Sequence, residues 1–324
     1  NAHGDIYETK YGLTTSQRVY GTVMENREGN GPCYLRTEGI SKEQEQDLYK
    51  AYLNMAPSQT LKWMEAGKGP SEENVEIEGT EPYIVGGHTA SGYWIDNNRA
   101  TTIEGLYAAG DVAGGCPQKY VTGALAEGEI AAEAILEYLN GKDDDRIAAE
   151  NKEEALERGG EQELSQTAIA KKAEYESHLN ASRSLMNAEQ LEEAMQKIMD
   201  QYAGGIGTDY RYSGMSLAKA DEKIAALLPV VDTLAATDTY ELMQIYELRE
   251  RLIVCQAVIA HLAARKETRW HSFGENTDYP QQSEEWMKYV NSRMENGEIK
   301  ILYRDLITKE NTGLNTAEKG AGER

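Results

Sequence analysis

The stretch that most constrains this chain is residues 101–134, TTIEGLYAAGDVAGGCPQKYVTGALAEGEIAAEA. Residues 106–109 are apolar and end at Gly110 and Asp111, as a buried strand followed by a tight turn would. The following helix is rich in glycine and alanine in its first turns. Small residues let backbone amides approach a bulky anionic ligand, and a helix N-terminus favours negative charge. The stretch therefore predicts a strand–turn–helix unit that binds an anionic cofactor.

The formal charge is −22, from 55 acidic and 33 basic residues. This acidity argues against binding to nucleic acid or to an anionic membrane. The most apolar helical segment, residues 253–264, contains Gln256 and His261, so no membrane span is predicted. The three cysteines are widely spaced and show no metal-ligand pattern, which predicts a cytoplasmic protein without a metal site. Any iron–sulfur cluster would then belong to a partner.

A composition shift follows Gly141, where residues 142–145 predict a charged loop and a domain boundary. Beyond it, apolar periodicity predicts a largely helical domain as far as residue 311. Residues 312–324 are polar and are expected to be disordered. Helices are predicted at residues 41–66, 146–178, 187–202, 217–234, 238–266 and 283–290, a strand pair at 81–95, and a strand at 299–303.

A second motif, RKETRWHSFGENTDY, spans residues 265–279. Arg265, Lys266 and Arg269 surround Glu267, which predicts a salt-bridged helix end where cations complement the dipole. The string also resembles the Arg-x-Glu-Ser-Arg-Gly-x-His-x-Arg-x-Asp-(Tyr/Phe)-Pro signature of succinate dehydrogenase and fumarate reductase flavoproteins. In that superfamily the segment locks a helical domain to the flavin domain, and the unit at residues 101–134 forms the second half of the FAD site.

The first half of such a site is a Gly-x-Gly-x-x-Gly strand–turn–helix unit, and the sequence contains no such fingerprint. We therefore expect the C-terminal part of a longer flavoenzyme, of class α/β plus α. Its expected parts are remnants of a capping domain (residues 1–78) and of the FAD-binding domain (79–140), then a helical C-terminal domain (141–311) and the tail (312–324).

Residues 81–95, EPYIVGGHTASGYWI, separate two branches of the superfamily. Succinate dehydrogenase-type enzymes usually carry a catalytic His where this chain has Tyr83, and an Arg within an Asn-Arg-Leu-Gly loop, where it has Gln118–Lys119–Tyr120. The pattern instead resembles the alpha subunits of adenylylsulfate reductases, with Glu-Pro-Tyr-(apolar)₂-Gly-Ser-His at this place. The resemblance continues at residues 18–37, 98–106 and 118–132, and extends to about residue 307.

This resemblance implies an enzyme that reduces adenosine 5′-phosphosulfate to AMP and sulfite through an FAD–sulfite adduct. It implies a ferredoxin-like beta subunit with two [4Fe–4S] clusters as electron donor. Arg18 and His88 match catalytic residues, and Asp111 matches the ligand of the ribityl hydroxyls. The implied FAD-binding positions are Gly86, Gly87, Gly110, Asp111, Lys119, Thr122, Gly123, Ala124 and Glu127.

Two alternatives stay open. Departures from the family pattern at Gly87 and at residues 122–124 leave room for a fumarate reductase-like flavoprotein with another substrate. The acidic helical domain would also suit a non-catalytic scaffold for an iron–sulfur subunit. Because most contacts to the adenosine and pyrophosphate would lie outside this sequence, we expect this fragment alone to bind FAD weakly and to be inactive.

Overall fold

The computed structural model describes residues 1–13, 15–79, 91–114, 121–182, 186–269 and 274–308. The chain divides into two compact units, Asn1–Ile84 and Val85–Arg324. Over these residues the fold is helix-rich, and the strands form three separate two-stranded sheets. A search of the described ranges finds no helix with the length and apolar character that a bilayer crossing requires.

The described part of the first unit, residues 1–13 and 15–79, contains four helices and one small antiparallel sheet. The helices are α1 (Glu8–Tyr11), α2 (Thr15–Arg27), α3 (Lys42–Met55) and α4 (Pro57–Ala66), and the strands are β1 (Cys33–Leu35) and β2 (Val75–Ile77). Ser41 caps α3 in a capping box with Gln44, as its hydroxyl predicts. The single helix predicted over residues 41–66 is wrong in one respect. It breaks at Ala56, because Pro57 disfavours helical backbone at the residue before it.

In the described part of the second unit, residues 91–114 precede a long helix, and two long strands near residue 300 form a β-hairpin. Its helices are α5 (Val121–Leu179), α6 (Ala188–Tyr202), α7 (Gly214–Val231) and α8 (Thr239–Ala264), and its strands are β3 (Arg211–Tyr212), β4 (Glu275–Asn276), β5 (Lys288–Glu295) and β6 (Glu298–Asp305). The hairpin turn at Asn296 and Gly297 has positive φ at both residues, which suits the right-handed twist of the strands.

The core of this unit lies among α6, α7 and α8. Leu191, Leu217, Ile224, Leu248 and Leu252 are each almost inaccessible to solvent. Together with the buried Met195, Ala220 and Ile245 they recur at three- and four-residue spacings along their helices, which is the periodicity of one buried face. The predicted helices 187–202, 217–234 and 238–266 are confirmed, with shifts of a few residues at their ends.

Three other expectations about this unit are wrong. Residues 106–109 form no strand but one isolated bridge, and Leu106 is 50% exposed, because no neighbouring strand in the described ranges extends the pairing. The predicted loop at residues 142–145 is part of α5, since lysine and aspartate do not break a helix as proline does. The predicted helix 283–290 is a 3-10 turn followed by β5, whose eight residues pair fully with β6.

The strand predicted at residues 299–303 is confirmed within β6. Most of the predicted strand pair 81–95 lies outside the described residues, as does the tail 312–324. The predicted domain limits at residues 78, 140 and 311 stay predictions.

Candidate functional site

Several of the residues predicted to bind the cofactor lie where a short turn meets the first turn of α5. Gly110 begins a 3-10 turn (Gly110–Val112) and has a φ of +72°, a left-handed conformation that favours glycine. A Cβ at Gly110 would lie 3.2 Å from the Cβ of Ala124. The structure thus brings these two predicted residues together, and only small residues separate the turn from the helix.

The remaining predicted positions that are described lie around this contact. Asp111 is exposed within the turn, Thr122 is exposed, and Gly123 is half-buried in the first turn of α5. That first turn carries no acidic side chain, so the partial positive charge of the helix N-terminus is not opposed by a carboxylate there. Gly86, Gly87, His88 and Lys119 lie outside the described residues, and their predicted roles stay predictions.

The turn is fixed on its other side by backbone pairing with the segment before it. The Tyr93 amide donates to the Val112 carbonyl at 2.7 Å, and the Gly114 amide donates to the Tyr93 carbonyl at 2.8 Å. A Cβ at Gly92 would lie 2.5 Å from the Val112 carbonyl oxygen, and one at Gly114 would lie 2.8 Å from that of Tyr93. Close approach of two backbones therefore requires glycine at both positions.

Glu127, predicted to line the flavin, has a partner that the sequence did not suggest. The Arg99 Nη2 donates to Glu127 Oε1 at 2.9 Å, and Arg99 Nε donates to Glu127 Oε2. The side chains are 17% and 7% exposed, so this bidentate ion pair is largely shielded from water. The only sequence signal for Arg99 is its place in the Asn-Arg-x-Thr-Thr motif at residues 98–102, which carried no assigned role.

A second arginine joins this region to the C-terminal hairpin. The guanidinium carbon of Arg304 lies 4.5 Å from the centre of the Trp94 ring and 4.7 Å from that of Tyr289, so it is stacked between two aromatic rings. Its Nη1 donates to the Ile95 carbonyl at 3.2 Å. Burial lowers the pKa of the Arg304 guanidinium. The hairpin thereby holds the segment that pairs with the Gly110 turn.

The motif at residues 265–279 forms a buried ionic cluster. The Glu267 carboxylate accepts bonds from Arg265 Nη1 at 2.6 Å, from Arg269 Nε at 2.8 Å and from the Ser283 amide at 3.0 Å. Burial alone would raise the pKa of Glu267, but these bonds outweigh it and lower the pKa below its usual value. The predicted salt-bridged helix end is confirmed for Arg265 and Arg269, whereas Lys266 is exposed.

Arg18 lies in the first unit, on α2, and its side chain is exposed. Glu25 anchors the same helix: its carboxylate is almost fully buried and accepts bonds from Lys10 at 2.8 Å and from Tyr11 and Asn1 at 2.9 Å. Burial acts to raise the pKa of Glu25, but the donors outweigh it and bring the pKa to about 2. Arg18 and the Gly110 turn belong to different units. Their contact with one common ligand therefore stays a prediction.

Comparison with known proteins gives the same assignment as the motifs. The family model described as "Fumarate reductase flavoprotein C-term" matches residues 192–318. The alpha subunit of adenylylsulfate reductase from Megalodesulfovibrio gigas is 28% identical over 328 residues, covering 89% of this chain and 48% of that subunit. This chain is similar in sequence to the adenylylsulfate reductase alpha subunit.

Two solved structures extend the likeness to three dimensions. Adenylylsulfate reductase from the hyperthermophilic Archaeoglobus fulgidus superposes with a TM-score of 0.75 at 28% identity, covering 95% of this chain and 55% of that chain. An adenosine-5-phosphosulfate reductase in covalent complex with sulfite superposes with a TM-score of 0.72 at 29% identity, covering 91% of this chain and 51% of that one. The chain therefore spans about half the length of these relatives.

Proposed function

We propose that this chain is the C-terminal part of a flavoprotein that reduces adenosine 5′-phosphosulfate to AMP and sulfite. The observation that carries the proposal is the close approach of Gly110 to Ala124 at the N-terminus of α5, in a chain whose relatives catalyse this chemistry. In this proposal FAD is the cofactor, and it supplies the two electrons that convert the substrate sulfur from the sulfate to the sulfite level.

The residues around the Gly110 turn suit such a cofactor. Thr122, Gly123 and Ala124 would present backbone amides at a helix N-terminus to its anionic and carbonyl oxygens. Asp111, exposed beside them, would accept hydrogen bonds from the ribityl hydroxyls. Gly86, Gly87 and Lys119 complete the proposed set, as the family resemblance implies.

Arg18 and His88 are the proposed substrate-binding and catalytic residues. The substrate carries a sulfate and a phosphate, and cleavage of the sulfur–oxygen bond leaves additional negative charge on the departing AMP phosphate. A fixed guanidinium stabilises such developing charge and binds its oxygens with two parallel hydrogen bonds. His88 would donate a hydrogen bond to substrate or cofactor, and a ferredoxin-like subunit with two [4Fe–4S] clusters would supply the electrons.

The apolar surface beside the site supports the view that this chain holds only part of it. Val112, Val121 and Leu125 are 52%, 75% and 69% exposed. Large apolar side chains grouped at the edge of a site commonly mark a surface that another segment covers. We infer that the dinucleotide-binding segment that the family resemblance implies packs here and contributes the remaining contacts to FAD.

Two other functions are compatible with parts of this chain. The family-model match over residues 192–318 is to a fumarate reductase flavoprotein, so a related reductase with another substrate is the second candidate. A scaffold for an iron–sulfur subunit is the third, since α6, α7 and α8 share a buried apolar core of their own.

The deciding experiment uses the full-length flavoprotein with its ferredoxin-like subunit. Sulfite is added to the purified oxidised protein while the flavin absorbance is followed. Bleaching that AMP reverses, with electrons passing to an acceptor, supports the proposal. A flavin absorbance that sulfite and AMP do not change, together with turnover of fumarate, favours the second candidate. If the full-length protein binds no flavin, the scaffold is the remaining candidate.

A further inference from the structure

We propose that Arg99 is a positioning residue for the cofactor. Through its ion pair with Glu127 it holds the first turns of α5 against the Gly110 turn, at the place where the helix N-terminus meets the flavin. The inference rests on the proposed FAD site, and it assigns Glu127 to the support of that site.

The geometry of the pair controls both the position and the rotation of the helix. Two guanidinium nitrogens of Arg99 donate to the two carboxylate oxygens of Glu127. A bidentate pair fixes the plane of the carboxylate as well as its distance, which a single ammonium donor cannot do. Because the side chains are 17% and 7% exposed, water competes little for these bonds.

Arg99 is itself held in one conformation. Its φ is +68°, a left-handed backbone conformation that persists in a residue other than glycine only where its surroundings impose it. Asp96 imposes it: its Oδ1 accepts from the amides of Asn98 at 2.8 Å and Ala100 at 2.9 Å, and its carbonyl accepts from the Arg99 amide at 3.1 Å. The Arg99 carbonyl in turn accepts from the Ala108 amide at 3.0 Å.

The pair acts on the same face of α5 as the contact with the turn. Ala124 faces Gly110, and Glu127 follows it by three positions, a spacing that places both on one side of a helix. A third contact lies further along α5, where the Tyr138 hydroxyl donates to Glu104 Oε1 at 3.1 Å. The segment between Asp96 and Gly110 therefore runs along one face of the helix and contacts it at Arg99, Glu104 and Gly110.

Loss of the pair would let the first turns of α5 move relative to Gly110. The proposed cofactor contacts are backbone amides, which have no side-chain freedom with which to compensate for a displaced helix. Placement errors of about 1 Å at such groups are enough to weaken binding or catalysis strongly.

The test compares Arg99→Ala, Arg99→Lys and Glu127→Gln with wild type in two measurements. The first is amide hydrogen exchange in this chain without cofactor. The second is the FAD dissociation constant of the full-length flavoprotein. We expect exchange to accelerate at residues 110–113 and 121–127 while the α6–α8 core is unchanged. We expect the FAD dissociation constant to rise by roughly tenfold or more in Arg99→Ala. The rise should be smaller in Arg99→Lys, because lysine keeps the positive charge but cannot form the bidentate contact.

Two control variants separate positioning from stability. Leu191→Ala opens a cavity in the helical core, and Lys197→Ala removes the exposed ion pair with Glu193. Neither should change the FAD dissociation constant. An equal loss of FAD in Leu191→Ala and Arg99→Ala would overturn the proposal, because it would show that stability alone governs binding.

The two measurements also separate this inference from the proposed function. If wild type binds no FAD, the proposed function fails, and the exchange data alone decide the positioning role. Faster exchange confined to residues 110–113 and 121–127 would then support it. Unchanged exchange in Arg99→Ala and Glu127→Gln would overturn the positioning role, whether or not the protein binds FAD.

Discussion

Arg304, in the last strand of the hairpin, stacks its guanidinium on the ring of Trp94 at 4.5 Å. The two residues belong to parts of the chain that no local sequence pattern connects. Tyr93, next to Trp94, pairs through its backbone with the turn that begins at Gly110. The stacked pair therefore links the hairpin to the backbone that shapes the candidate cofactor site.

Replacing Arg304 by alanine should destabilise the second unit. The side chain is almost fully buried and stacks on both Trp94 and Tyr289. Loss of two shielded cation–π contacts and the cavity left behind should lower the free energy of unfolding by about 2–4 kcal/mol. Urea unfolding measures the change. Arg293→Ala, which removes the exposed pair with Glu295, is the matched control and should cost under about 1 kcal/mol. Equal losses in the two variants would contradict the stacking.

Gly110→Ala should be more harmful than Gly297→Ala, although both glycines have positive φ. Alanine in this backbone conformation costs about 1–2 kcal/mol at either position. At Gly297 a Cβ meets nothing within 4 Å, whereas at Gly110 it presses on Ala124. We expect a greater loss of unfolding free energy for Gly110→Ala, measured by denaturant titration, and weaker FAD binding in that variant only. A loss of FAD binding in Gly297→Ala would show that backbone strain alone explains the effect.

Glu25 should make the first unit sensitive to acid. Its pKa in the folded chain is about 2, below the usual value of 4.5. A lowered folded pKa stabilises the fold above the unfolded pKa, and this stabilisation is lost as the pH falls from about 4.5 towards 2. Urea midpoints between pH 7 and pH 2 measure it. The variant Glu25→Gln should be less stable at pH 7 and should show a flatter dependence below pH 4.5. If the urea midpoints of wild type and Glu25→Gln fell in parallel as the pH was lowered, Glu25 would be excluded as the source of the acid sensitivity.

Glu267→Gln should destabilise the second unit strongly at neutral pH. The variant leaves Arg265 and Arg269 without the buried carboxylate that both contact. Breaking a buried ionic cluster by removing one partner costs about 3–5 kcal/mol. Thermal and urea unfolding at pH 7 measure the loss, and Glu193→Gln, on the exposed face of α6, serves as the control. A cost below about 1 kcal/mol would mean that the cluster contributes little net stability.

The helices α6, α7 and α8 were predictable because their signals are local. The apolar periodicity of α6 and α8 lies within each helix, and Asn187 and Asp238 cap them from the preceding position. The capping box of α3 was predictable for the same reason. Pro57 was an equally local signal for the break between α3 and α4, and the sequence interpretation overlooked it.

The strand β5 could not be distinguished from a short helix without its partner. Its residues KYVNSRME have no decisive period, and the pairing with β6 determines their conformation. The same limit applies to residues 106–109, where an apolar run indicated a strand that has no extended pairing among the described residues.

The residues that shape the candidate site were the least predictable. Arg99 and Glu127 are 28 positions apart, and 209 positions separate Arg304 from its acceptor Ile95. Charge alone does not identify which of 33 basic residues will meet which of 55 acidic ones. The family motif at residues 98–102 included Arg99, but a motif gives no partner.

The contacts of Arg304 and Arg265 with the backbone have a consequence for sequence variation. Arg304 donates to the Ile95 carbonyl and Arg265 to that of Lys288, so the acceptor in each contact is a group that every amino acid carries. Selection for these two hydrogen bonds therefore acts on the donor alone. Any residue at positions 95 and 288 can supply the acceptor, so only burial and stacking limit which residues these positions accept. Positions 265 and 304 must keep arginine to supply the donor.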